Sequence, residues 1–122
     1  FAIKTSYGSS SQPKIGLLVR RVSGSWDDIY PVDTSGTRPI IALNEMNRQV
    51  IVMYTRTESG GSIKYRIASI DDLQFGSRKT LISGSLNNVQ STKQNFLDEL
   101  IAIAATTSSG SKRQMITISF AP

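Results

Sequence analysis

Apolar residues along this chain come in short runs rich in β-branched and aromatic side chains, not in helical stripes. The clearest runs are Phe1–Thr5, Ile15–Val19, Val50–Thr55, Ile63–Ile67, Leu100–Thr106 and Met115–Phe120. They fall into three pairs, and each pair is joined by a small polar turn, which is how hairpins read in sequence. The pairs keep a beat: Thr5 to Thr55 is 50 residues and Thr55 to Thr106 is 51. Thr37-Arg38 and Thr92-Lys93 follow the same rhythm, 55 residues apart. Between these landmarks further strands are predicted. Trp26–Val32 reads as an edge strand, because Pro31 has no N–H to give to a ladder. Arg38–Leu43, Gln49–Arg56, Ser62–Ser69 and Lys79–Ser83 form a run of four, turned at Asn44–Arg48 and at Glu58-Ser59-Gly60-Gly61. Asn88–Gln94 opens the last unit, and Gln114–Phe120 ends it.

One segment pulls the other way. Asn95–Ala105 carries Leu, Ala and Glu, which favour helix. The repeat sets Ile101–Thr106 against Ile51–Thr55, and that alignment predicts a strand. Short strands recurring at about 50 residues are the signature of propeller blades. The fold expected is therefore all-β, made of antiparallel four-stranded blades of a β-propeller, with about two and a half blades in this chain. Residues 1–33 are read as the end of one blade, 34–84 as a complete blade and 85–122 as most of a C-terminal blade. Such units bury their faces by stacking on one another. The expected partners are thus the remaining blades of the same propeller or other copies of the chain. Phe1-Ala2-Ile3 opens in mid-strand, which favours a piece of a longer polypeptide.

Composition narrows the chemistry. The chain has 122 residues, no Cys and no His. That excludes a disulfide scaffold and thiol chemistry, and it removes the commonest metal ligand and general base. No apolar run approaches the ~18 residues of a membrane-spanning helix. Charged residues make up only 19% of a chain rich in Ser, Thr, Gly and Asn, which fits a secreted or cell-surface protein. The net charge is +5, but the basic residues lie in scattered pairs: Arg20-Arg21, Arg78-Lys79 and Lys112-Arg113. Nucleic-acid binders concentrate charge in a stripe, so no nucleic-acid partner is expected. The pairs read as solvated strand ends and turns, with an acidic polysaccharide as the alternative partner.

The strings FAIKTSYGSSSQPKIGLLVRR, GTRPIIALNEMNRQVIVMYT, GGSIKYRIASIDDLQFG and NNVQSTKQN, with Trp26 between the first two, stand in an order that resembles one family. It is similar to the C-terminal part of secreted bacterial β-propeller proteins of the sialidase-like, Asp-box-related group. The resemblance covers the whole chain. It implies architecture and export, and it raises a glycoside hydrolase as an alternative, with catalytic residues mostly outside this segment. A third alternative is a surface protein that completes its propeller from several chains. The Asp-box itself is missing, since Ser23-Gly24-Ser25-Trp26 keeps only a turn and a Trp.

Sialidase-like proteins hold a carboxylate with inner-strand arginines, whose forks match it. By that resemblance Arg38 and its repeat equivalent Lys93 are candidate ligand cations at a funnel rim. The competing reading is that each closes a charge pair or holds a neighbouring carbonyl. Lys4 and Tyr54, which share a repeat position, join them as candidate ligand contacts, and Trp26 is a candidate sugar-stacking face. A sialidase uses a Tyr nucleophile, and Tyr54 has Glu45 and Glu58 in flanking turns; as an aligned strand position it reads instead as structural. No catalytic residue is assigned. Asp27-Asp28, Asp71-Asp72 and Asp98-Glu99 lack the alternating spacing of a calcium loop, so no metal and no cofactor are expected.

Overall fold

A computed structural model describes residues 1–91, 95–96, 99–106 and 113–119. Its elements are strands arranged in three sheets, with one 3-10 turn at Thr57–Ser59. The first sheet is β1 (Ala2–Lys4), β2 (Ile15–Leu17) and β3 (Tyr30–Asp33), in that order. The middle sheet runs β4 (Thr37–Asn44), β5 (Gln49–Arg56), β6 (Ser62–Ser69) and β7 (Lys79–Ile82), each antiparallel to the next. The third holds β8 (Leu86–Ser91), β10 (Glu99–Thr106) and β11 (Arg113–Ser119), with β10 between the other two. A short β9 (Asn95–Phe96) leaves that sheet and pairs parallel with the end of β4.

The all-β expectation holds, and β5 and β6 have the limits read from sequence. Glu99–Thr106 is a strand despite its helix-favouring residues, because β8 and β11 flank it and take up its backbone donors and acceptors. Other limits shift by one or two residues, and two differences have a clear physical cause. The third strand begins at Tyr30 and not at Trp26, because 20–27 folds into its own turn. There Arg20 and Trp26 bridge, while Arg21 grips the Asp27 carboxylate. The strand expected at Asn88–Gln94 starts earlier, at Leu86, whose N–H donates to Gly61 O at 3.1 Å. Gly61 permits this approach: a Cβ there would stand 2.8 Å from Leu86 O, and its φ is +91°. Lys93 and the turn at 107–112 lie outside the described residues.

The core sits between the sheets, in two layers. Ile15, Leu17 and Val32 of the first sheet meet Val50, Val52 and Tyr54 of β5. On the other side Ile51, Met53 and Ile63 pack with Leu86, Val89, Ala102 and Ala104. Successive strand residues point to opposite faces, so β5 serves both layers at once. That is why it reads as an unbroken apolar run where β6 alternates. Each large side chain taken fully from water in this way contributes about 1.5–3 kcal/mol. The polar face of β6 turns toward the first sheet, and from it Arg66 reaches across. Its guanidinium donates to Val32 O, to Phe75 O at 3.1 Å and to Gly76 O at 2.5 Å. No helix among the described residues is long and apolar enough to cross a membrane.

Candidate functional site

Antiparallel hairpins bring the end of one strand beside the start of the next, and here that gathers charge. Lys4 ends β1, Lys14 immediately precedes β2, and the two flank one hairpin loop, with Lys4 opposite Ile15. Thr37 opens β4 opposite Thr55, near the end of β5. Lys4, Lys14, Thr37, Arg38, Thr57 and Glu58 thus line a cleft of about 360 Å³, floored by Gly36. Among the described residues Lys4, Lys14 and Arg38 make no ion pair. Glu58 is the one acid among the described lining residues, and it leans toward Arg56, 4.0 Å away.

Arg38 is held in an uncommon way. Its φ is +50°, a left-handed conformation that costs a non-glycine residue on the order of 1 kcal/mol or more. The β4–β5 register shifts between Thr37 and Ile40, so Arg38 and Pro39 form a bulge. A bulge re-aims the side chain it carries. Arg38 Nη1 donates to Asn87 O at 3.4 Å, and Thr55 Oγ1 donates to the same carbonyl at 2.8 Å.

The segment leading to Arg38 is pinned from beneath. Asp33 is buried, and its carboxylate accepts from Arg78 Nε at 2.6 Å, Arg78 Nη2 at 2.8 Å, the Tyr54 hydroxyl and the Ser35 N–H at 3.2 Å. Burial alone would raise its pKa. The donors from Arg78, Tyr54 and Ser35 outweigh that and hold it down to about 2. Burial and the Asp33 charge together push the Tyr54 hydroxyl well above its ordinary value. Arg56 Nε donates to Ser35 Oγ at 2.6 Å. Gly36, at φ +135°, lies over the Tyr54 ring, and a Cβ there would stand 2.7 Å from Tyr54 Cδ2. Every residue from Asp33 to Gly36 except Thr34 is therefore fixed by a partner from the middle sheet.

The candidates named from sequence separate accordingly. Arg38 and Lys4 meet in the cleft. Tyr54 has no exposed surface and lies one layer beneath it, with its hydroxyl committed to Asp33. It is a core residue, out of reach of a ligand or of nucleophilic work. Trp26 is 52% exposed and packs on Phe1 with ring centroids 5.9 Å apart, beyond the opposite ends of β1 and β2. It does not join the cleft. Lys93 is outside the described residues. Among these residues no group of three acids is placed to hold a metal ion.

Sequence reasoning missed Lys14, Asp33, Arg66 and Arg78. Lys14 had a signal: it and Lys4 bracket one hairpin loop and so must emerge at one end of the sheet. In the sequence Arg78 has the look of a solvated turn residue, but the buried Asp33 carboxylate draws it into a bidentate pair. Asp27 and Asp71 hold ion pairs with Arg21 and Arg48 at the surface, as turn residues do. Compared with protein-family models, with curated proteins and with solved structures, the chain matches none of them.

Proposed function

We propose that this chain is a section of a β-propeller, exported to the cell surface, that binds acidic carbohydrate at the cleft of Lys4, Lys14 and Arg38. Three sheets of mainly antiparallel strands stacked face to face support the architecture, as does a middle sheet sandwiched on both faces. The blades run 1–33, 34–84 and 85–122. The rest of the ring comes from further blades of the same protein or from other copies. The single observation that carries the ligand class is three cations without an ionic partner among the described residues, gathered over a cleft at one end of the sheets. An anionic sugar supplies the missing charge, and hydroxyls of Thr37 and Thr57 suit its polar edges. The role is binding and not hydrolysis: among the described residues the one acid lining this cleft is Glu58, and the buried Tyr54 cannot attack a substrate.

Titration calorimetry against acidic and neutral oligosaccharides tests this. Arg38→Ala is expected to weaken acidic-sugar binding several-fold while leaving the circular dichroism spectrum unchanged. Equal affinity in the variant would remove the cleft from the reading.

A further inference from the structure

Within that acidic-carbohydrate reading, on which this inference rests, most donors in the cleft are not the planar forks that select a carboxylate. Selective carboxylate binding uses a planar fork, two parallel N–H bonds from one guanidinium. Arg38 is the one guanidinium among the described lining residues, and one of its N–H donors, on Nη1, is turned to Asn87 O at 3.4 Å. The other two cations are ammonium groups, compact point charges with three rotatable donors each and no planar preference. They arrive from separate places, Lys4 at the end of β1 and Lys14 at the start of β2. Thr37 and Thr57 add hydroxyls from the start of β4 and from the turn after β5. Donors from four chain segments around one cavity make a three-dimensional shell. A carboxylate has two oxygens in one plane and leaves part of that shell unused. A tetrahedral oxyanion ester points three oxygens outward in three directions and engages all of it.

The site is also built in advance. Arg38 sits on a bulge at φ +50°, and the segment before it is fastened through Asp33, Ser35 and Gly36. A strained residue kept in place by its surroundings holds its side chain ready before a ligand arrives. Glu58 on the rim is drawn toward Arg56, which leaves the positive charge of the cleft largely unopposed.

We infer that the cleft is a sulfate-ester site, and that the acidic carbohydrate it takes is a sulfated glycan. Three probes test this by calorimetry: a sulfated oligosaccharide, the same oligosaccharide after desulfation, and an unsulfated oligouronate of equal length. The sulfated probe is expected to bind several-fold more tightly than the oligouronate, the desulfated one not at all, and inorganic sulfate is expected to compete where acetate does not. Lys14→Gln should cost the sulfated probe several-fold and Lys14→Arg should restore most of it; Lys4→Gln, at an exposed position, repeats the test should Lys14→Gln misfold. Oligouronate binding as tight as the sulfated probe overturns the sulfate assignment and leaves the acidic-carbohydrate reading standing. Binding of neither acidic probe overturns both. Sulfated-probe affinity unmoved by the lysine variants places the site elsewhere and overturns this inference.

Discussion

Asp33 carries a negative charge with 4% of its surface exposed, a state stable only because every side of the carboxylate is occupied. Its pKa falls from an ordinary 3.8 to about 2, so the unfolded chain takes up the proton first as pH drops. The stabilisation is therefore complete above about pH 5 and is lost as pH falls through 4 toward 2. The difference amounts to about 2 kcal/mol. Urea denaturation at a series of pH values should show that loss in the parent chain and a shallower slope in Asp33→Asn; identical slopes would show that Asp33 is not the group responsible. None of this was legible in the sequence. Arg78 is 45 positions from Asp33 and Tyr54 is 21, and no local pattern announces a pair made only when two sheets meet. Arg38, by contrast, was visible as a landmark of the repeat. Its backbone strain and its bulge were not, since both depend on how β4 is forced against β5.

At the scale of the strand, β5 explains why so much of the fold could be read in advance. Val50, Val52 and Tyr54 fill one core layer, and Ile51 and Met53 fill the other. A strand with two dry faces must be apolar throughout, whereas in β10 Ala102 and Ala104 are buried and Ile103 between them is 39% exposed. Its period set strand identity where propensity favoured helix. What periodicity could not show is β9, two residues that abandon their own sheet to cover the edge of β4. An edge wants any partner that reaches it, and its choice leaves no alternation in sequence. Met53→Ala is expected to lower stability by about 2–5 kcal/mol, because the cavity would be closed in between two sheets. Arg48→Ala breaks an ion pair whose two side chains are well over half exposed and screened by solvent, and should cost far less. Chemical denaturation of both variants checks the contrast, and similar losses would mean that β5 is not the shared wall of two cores.

The whole molecule is a stack, and its sheets are joined as much by crossing side chains as by apolar layers. Arg78 ties the start of β7 to the end of β3, Arg38 reaches β8, and Arg66 holds three carbonyls, one on β3 and two in the connection 70–78. That last grip has a consequence for how the chain is cut. Proteases bind substrate as an extended strand, and a connection whose carbonyls are clasped by a guanidinium cannot be drawn out into one. The loop between β6 and β7 would then resist nicking despite its length, and Arg66 and Arg78, themselves engaged, would be poor tryptic sites. Among the described residues, digestion of the native chain should begin instead in the turn after β2, at Arg20, close to which Val22 stands fully in solvent. The first fragments released would part β1 and β2 from a remainder that keeps β3, still bolted to the middle sheet by Arg66 and Arg78.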